Sequence, residues 1–180
     1  MRAISIGEPA AGARKVICVV AVLALLLALL PAVPAMAAPV TGVSATATDN
    51  KAGATGVRYD VSFTAPSGLG GGDEITVTFA TGYSVPESVA GVVYYQDEEY
   101  TPAYVRGSGI AIIIGVPAEL TVGENGAVKV SISGVTNPTV AKSYPIAVRT
   151  TNDTAGTTTF TIVANVAAQI ALDAPEEAVA

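Results

Sequence analysis

The stretch GVRYDVSFT, residues 56–64, decides the fold class of this chain of 180 residues. Apolar and polar side chains alternate along it, which is the period of a β-strand with one buried face. The apolar phase holds Val57, Tyr59, Val61 and Phe63, and the polar phase holds Arg58, Asp60 and Ser62. We therefore predict a strand whose first phase lies in a hydrophobic core.

The same alternation recurs along the chain. It is clear in DEITVTFA, AVKVSIS and SYPIAVRT, residues 73–80, 127–133 and 143–150. Weaker strand candidates are residues 41–48, 90–96, 102–106, 109–115 and 158–164. Glycine, proline and asparagine separate these segments, as in turns. The pattern predicts an all-β, immunoglobulin-like antiparallel β-sandwich of about 7–9 strands.

The phase of each strand predicts the core of this sandwich, because inward and outward side chains alternate without exception along a regular strand. The predicted core residues are Tyr59, Val61, Phe63, Ile75, Val77, Phe79, Ile112, Val128, Val130, Ile132, Tyr144, Ile146, Val148, Phe160 and Ile162.

The N-terminal segment has the order of a secretory signal peptide. Basic residues precede an apolar run at residues 16–30, and Ala35 and Ala37 form an A-x-A cleavage pattern. An uncleaved anchor is the alternative, although the run is shorter than the ~20 residues that cross a bilayer comfortably. We predict a signal peptide at residues 1–37, a sandwich at residues 38–165 and a C-terminal extension at residues 166–180.

Cleavage after Ala37 leaves a markedly acidic chain. It removes three of the nine Lys and Arg and one of the fifteen Asp and Glu, so the net charge becomes −8. Cys18 leaves with the signal peptide, and the chain has no His. This composition argues against nucleic-acid binding, imidazole catalysis and stabilisation by disulfides. We expect no enzyme activity, no cofactor and no membrane span in the mature chain.

Residues 166–180 leave three structures open. Ala164, Val166, Ala168, Ile170 and Leu172 continue the apolar phase of the preceding strand, which favours a strand extended within the domain. The Ala-rich composition also fits a terminal helix or a tail. A third alternative is a strand added to an open sheet edge of a neighbouring subunit.

Two groups of residues between positions 94 and 104 are candidate sites. Asp97, Glu98 and Glu99 are the densest carboxylate cluster, and they suggest either a calcium site or a solvated hairpin tip. Four tyrosines surround them, and these predict either partner contact or cover for the edge of the core. The tyrosines are Tyr94, Tyr95, Tyr100 and Tyr104.

Two other features favour structural interpretations. Gly70, Gly71 and Gly72 precede a strand and lack the lysine and helix of a phosphate-binding loop. Lys129 lies out of phase with Val128 and Val130, so we expect it to face solvent rather than to form an internal isopeptide crosslink.

Two longer segments carry a family resemblance. They are VSFTAPSGLGGGDEITVTFATGYSVP, residues 61–86, and AVKVSISGVTNPTVAKSYPIAVRTT, residues 127–151. The first contains a GD-I-x-V-x-F strand followed by G-Y-x-V-P, and the second leads from G-V-T-N-P to Y-x-I-x-V-x-T. They resemble the immunoglobulin-like modules of S-layer and other cell-surface proteins of Gram-positive bacteria, clostridial types especially.

The resemblance implies a sandwich fold and a location outside the cell or at its surface. It also suggests that Tyr144 acts as the tyrosine corner of a Greek-key sandwich, with an ordinary core tyrosine as the alternative. The predicted function is a secreted, non-catalytic structural or assembly module of the cell envelope. Its expected partners are other envelope proteins or further copies of itself. The alternative is a secreted binding or adhesion module for a surface or soluble ligand.

Overall fold

The computed structural model describes residues 37–165 of the chain. The predicted signal peptide and the predicted extension at residues 166–180 lie outside the described residues, apart from Ala37. The described residues contain no helix that could span a membrane. They form ten strands: β1 (Thr41–Ala47), β2 (Val57–Ala65), β3 (Glu74–Phe79), β4 (Ala90–Tyr95), β5 (Glu98–Tyr100), β6 (Tyr104–Ser108), β7 (Ala111–Gly115), β8 (Gly126–Val135), β9 (Ser143–Thr150) and β10 (Gly156–Thr161).

The strands form two antiparallel sheets of five strands each. The first sheet has the order β1-β2-β8-β4-β5, and the second has the order β10-β9-β3-β7-β6. The strands β1-β2-β8-β4 and β10-β9-β3 have the spatial order of the A-B-E-D and G-F-C sheets of an immunoglobulin domain. The predicted all-β antiparallel sandwich is therefore confirmed.

The core lies between the sheets and follows the predicted strand phases. Tyr59, Val61, Ile75 and Val77 are fully buried, and the other predicted core residues are also buried, with one exception. Phe160 is partly exposed because β10 is an edge strand, yet its ring still packs edge-on against Tyr59 at 5.2 Å. Period-two alternation thus identified the inward faces correctly.

The strand β5, Glu98–Tyr100, is the one strand that the sequence did not predict, and it brings the number of strands to ten. It pairs with β4 through the two-residue turn Gln96–Asp97, in which both residues have positive φ, of 52° and 65°. Positive φ at both central positions is the geometry of a type I′ hairpin turn. The sequence suggested a hairpin tip at residues 97–99. Three residues are too few to show the alternation of apolar and polar side chains, so β5 itself was not predicted.

The sheet edges are protected along the described chain. Beside β1, Val40 N–H donates to the carbonyl of Thr154, which lies in the connection just before β10. At the opposite side, Gly107 N–H of the edge strand β6 donates to the Glu87 carbonyl. The last edge strand, β5, is only three residues long and carries two carboxylates. Covered, short and charged edges disfavour strand addition from another chain.

Tyr144 stands at the start of β9, as the tyrosine-corner interpretation requires. Its ring is buried, and its hydroxyl donates a 2.9 Å hydrogen bond to the Val140 carbonyl four residues upstream. This bond fixes the connection between β8 and β9 against the core.

Candidate functional site

One row of polar side chains crosses the outer face of the first sheet. Ser44, Ser62, Lys129, Tyr94 and Glu99 stand opposite one another on β1, β2, β8, β4 and β5. All five belong to the outward phase, since the residues next to them, such as Val61, Val93 and Val130, are buried. The row therefore presents two hydroxyls, an ammonium, a phenol and a carboxylate in sequence.

A groove of about 690 Å³ lies along this outer face. Its floor is formed by outward residues of the two central strands β2 and β8, and its sides by β1 and the β4–β5 hairpin. The lining residues are Gly42, Ser62, Phe63, Thr64, Tyr94, Tyr95, Gln96, Asp97, Gly126, Ala127, Val128 and Lys129.

Local backbone irregularities lie at both sides of the groove. The register between β1 and β2 shifts between Thr41 and Ser44, and Gly42 in this bulge has φ of 60°. A bulge bends its strand and increases the local twist, and glycine adopts this conformation without strain. On the other side, Gln96 and Asp97 of the type I′ turn line the groove.

Lys129 is the cation of the groove floor. Its Nζ lies 4.1 Å from the centroid of the Tyr94 ring, within the range of a cation–π contact. Among the described residues, the ion pairs are Arg58 with Asp60 and Arg106 with Glu74, and no carboxylate lies within ion-pair distance of Lys129. The predicted exposure of Lys129 is confirmed, and its charge is available to a ligand.

The four tyrosines between positions 94 and 104 do not form one surface. Tyr94 belongs to the outer face of the first sheet, whereas Tyr95 and Tyr100 pack against the edge of the core. Tyr104 lies on the other sheet, 41% exposed. The structure thus brings only Tyr94 and Tyr95 to the groove, and contact of these tyrosines with a partner stays a prediction.

Tyr104 forms a separate cluster on the outer face of the second sheet. Its hydroxyl donates to the Glu74 carboxylate, and the Arg106 guanidinium lies 5.2 Å from its ring centroid. The ring lies flat over Gly115, where a Cβ would come within 2.6 Å of it. The hydrogen bond to Glu74 raises the pKa of the Tyr104 hydroxyl, which holds its proton more firmly as a donor.

Asp97, Glu98 and Glu99 diverge instead of converging on one point. Asp97 occupies the hairpin turn, while the Tyr100 hydroxyl donates to Glu98 at 2.9 Å and the Tyr94 hydroxyl to Glu99 at 3.4 Å. The described residues contain no group of three or more His, Cys, Asp or Glu that could hold a metal ion. These contacts match the hairpin-tip interpretation, in which the carboxylates accept hydrogen bonds from their own hairpin.

The chemistry of the groove is that of hydrogen bonding and charge. Burial, followed by the nearby Glu99 carboxylate, raises the pKa of the Tyr94 hydroxyl, so this phenol is a neutral donor at physiological pH. Ser62, Thr64 and Gln96 add neutral donors and acceptors. The arrangement suits a polar extended ligand that meets one positive charge.

Sequence reasoning missed Ser62, Thr64, Gln96 and Ala127 as lining residues. Strand phase shows that Ser62 and Lys129 point outward, but it contains no information that β2 lies next to β8 or that β4 lies beyond it. The type I′ turn was also not predictable, because it contains Gln96 and Asp97 and not the Asn-Gly pair that usually indicates such a turn.

No protein-family model matches this sequence, and no curated protein matches it. Solved structures with a similar fold include BslA, described as a bacterial hydrophobin, at 11% identity and a TM-score of 0.46, covering 68% of this chain and 98% of that one. A collagen-binding domain from a Staphylococcus aureus adhesin has 13% identity and a TM-score of 0.39, with 66% and 96% covered. The collagen-binding subdomain of the Enterococcus faecalis surface protein ACE has 11% identity and a TM-score of 0.36, with 66% and 92% covered. Similarity at this level carries no inference about ligand or activity.

Proposed function

We propose that this chain is an exported, non-catalytic binding module of the cell envelope and that it holds an extended polar ligand in the groove of the first sheet. The observation that supports the proposal most directly is the concave outer face itself, with the Lys129 ammonium on its floor. Ligand sites are typically concave and place a small number of polar groups to orient the ligand.

The groove suits a chain better than a compact molecule. It runs between β1 and the β4–β5 hairpin, so three strand spacings of about 4.8 Å separate its walls. The side chains along its floor recur at the two-residue spacing of a strand. They are Ser62 and Thr64 on β2, and Ala127 and Lys129 on β8. An extended ligand can meet such a repeat at more than one point.

A substitution that fills the groove tests the proposal. Ser62→Trp places an indole on the floor, whereas Thr159→Trp adds the same group to the exposed outer phase of β10 on the opposite sheet. Wild type and both variants would be passed over arrays of peptides and cell-wall polysaccharides, and binding measured by surface plasmon resonance. We expect Ser62→Trp to abolish binding and Thr159→Trp to retain it. Equal binding by all three proteins, or no binding by wild type, would contradict the proposal.

An assembly module is the second candidate, and the distribution of charge favours it. We call the end that contains the β2–β3, β4–β5, β7–β8 and β9–β10 connections the β2–β3 end. Asp73, Asp97, Glu98, Glu119 and Glu124 all lie in or beside these connections. The connections at the other end hold Lys51 and Lys142 together with Asp49 and Glu87, so their charges cancel. Contact between unlike ends brings Lys51 or Lys142 of one copy to the carboxylates of another, whereas two β2–β3 ends repel each other.

Sedimentation and electron microscopy separate the two candidates. Assembly through the ends predicts filaments or large species that dissociate when salt screens the charges. A binding module predicts a monomer at every salt concentration. Large species that resist salt would contradict the electrostatic form of assembly.

A further inference from the structure

We propose that Tyr104, Arg106 and Glu74 form a second binding site, on the outer face of the second sheet, for a neutral sugar ring of a polysaccharide. The sugar stacks its C–H face on the Tyr104 ring and turns its hydroxyls toward the Arg106–Glu74 ion pair. The groove lies on the other sheet. This inference therefore goes beyond the proposed function and does not depend on it.

The Tyr104 ring has one covered face and one open face. The covered face lies on the backbone of Gly115, since a Cβ there would come within 2.6 Å of the ring. Glycine in a strand permits such a close approach. Tyr104 is nevertheless 41% exposed, so its exposed area belongs mainly to the outward face of the ring. Covering the glycine thus uses one face and leaves the other as a flat apolar surface.

The Tyr104 ring is held in place before any ligand binds. Tyr104, Gly115 and Glu74 stand opposite one another on β6, β7 and β3, and the Tyr104 hydroxyl donates to the Glu74 carboxylate across the glycine. The backbone beside the ring is also fixed, because Ala103 N–H donates to the Gly115 carbonyl at 2.9 Å. A ring that is already ordered loses little conformational entropy when a ligand stacks on it.

The Arg106–Glu74 ion pair places hydrogen-bonding groups beside the open face. Nη2 of Arg106 lies 3.4 Å from Oε1 of Glu74, and the two side chains are 58% and 39% exposed. Within the described chain, Oε1 accepts from both Tyr104 and Arg106, which leaves Oε2 as an acceptor for a ligand. The other N–H groups of the guanidinium, which lies 5.2 Å from the ring centroid, remain as donors.

This combination fits a neutral pyranose. A pyranose with equatorial hydroxyls, such as glucose, has C–H bonds on its faces and hydroxyls around its edge. Its face matches the open side of Tyr104, and its hydroxyls both donate and accept, as the ion pair does. The charges of Arg106 and Glu74 largely cancel, so the pair attracts neither anionic nor cationic polymers strongly.

The rest of the face allows a polymer to continue past the ring. One row of small, uncharged side chains crosses all five strands of the sheet, and it lies four residues along β6 from Tyr104, or about 13 Å. Its members are Ser108, Ala111, Thr78, Ala147 and Thr157. A neighbouring sugar of the same chain meets hydroxyls there and no charged side chain.

Saturation-transfer NMR with cellohexaose and chitohexaose tests the proposal in the intact protein. Saturating the aromatic protons of the protein should transfer signal to the C–H protons of one sugar face. Tyr104→Phe keeps the ring and should weaken binding at most about twofold, whereas Tyr104→Leu should weaken it about tenfold. Arg106→Gln should also weaken binding. Arg58→Gln is the matched control, because Arg58 is likewise paired with a carboxylate but lies on the first sheet.

Urea denaturation checks that each variant is folded. Absence of saturation transfer from wild type to either sugar would overturn the proposal, and so would equal binding by wild type and folded Tyr104→Leu. Loss of binding in Ser62→Trp, with full binding by Tyr104→Leu, would assign the sugar to the groove and overturn this inference while supporting the proposed function. Failure here leaves the proposed function intact, since that proposal concerns ligands whose binding Ser62→Trp removes.

Discussion

The Tyr59 hydroxyl donates a hydrogen bond to Oδ1 of Asn137, which is 78 residues further along the chain. Asn137 in turn donates from Nδ2 to the carbonyls of Asp49 and Lys51, at 3.0 Å each. One buried amide thus joins the first part of β2, the β1–β2 connection and the β8–β9 connection. A buried amide that satisfies all its partners fixes these segments relative to one another.

Tyr59→Phe should lower the free energy of unfolding at neutral pH and make that free energy fall less steeply at high pH. Burial, together with the nearby Tyr83, raises the pKa of the Tyr59 hydroxyl well above its ordinary value of 10.0. Above about pH 10 the unfolded state loses this proton while the folded state keeps it, so the free energy of unfolding falls by about 1.4 kcal/mol per pH unit. The variant has no hydroxyl at this position, so it lacks this pH-dependent loss. It also leaves Asn137 Oδ1 unpaired, which costs about 1–3 kcal/mol at every pH. Urea denaturation between pH 7 and pH 11 measures both effects, and parallel pH profiles would contradict the prediction.

Gly107→Ala should destabilise the β6 edge, because a Cβ there would lie 2.0 Å from the Pro86 carbonyl oxygen. The backbone must then separate and weaken the hydrogen bond from Gly107 N–H to Glu87. We expect a loss of about 1–3 kcal/mol, as for overpacked positions. Gly123→Ala is the matched control, since its Cβ would meet no atom within 4 Å. Chemical denaturation should show a change within about 0.5 kcal/mol for the control.

Phe79→Ala should cost about 3–5 kcal/mol of unfolding free energy, because the ring is 1% exposed and contacts Tyr59 and Tyr83. Phe160→Ala removes the same group from a partly exposed position on an edge strand and should cost clearly less. Equal losses would show that the edge position is as well packed as the centre of the core.

Calcium should not change thermal stability, because Glu98 and Glu99 accept hydrogen bonds from different tyrosines and do not converge with Asp97. Melting in the presence of calcium and of a chelator measures this directly. A melting midpoint that rises by many degrees with calcium would contradict this prediction and show that the hairpin carboxylates bind calcium.

The secreted protein should begin at Ala38 or Pro39, since the A-x-A pattern at Ala35 and Ala37 directs cleavage there. N-terminal sequencing of the exported product checks this expectation. Recovery of a chain with intact Met1 from membranes would favour the uncleaved anchor instead.

Most of the architecture followed from local sequence patterns. The alternation in residues 56–64 predicted β2 and its buried face, and the position of Lys129 out of phase with Val128 and Val130 predicted its exposure. For the carboxylates of residues 97–99, the sequence left a calcium site and a solvated hairpin tip open. The groove could not be predicted, because it depends on the order of strands in the sheet and on the bulge at Gly42.

The difference between the strand faces, which could be predicted, and the groove, which could not, has a physical origin. Successive side chains of any strand point to opposite faces, so the sequence by itself determined which side of each strand is apolar and which side meets water. Neighbouring strands are joined by backbone hydrogen bonds, which are nearly the same for every sequence. Only the packed tertiary structure decided that β8 lies between β2 and β4, and this placed Ser62, Lys129 and Tyr94 side by side. The groove exists because that pairing was selected by the burial of the whole core, to which residues distant in the chain contribute together.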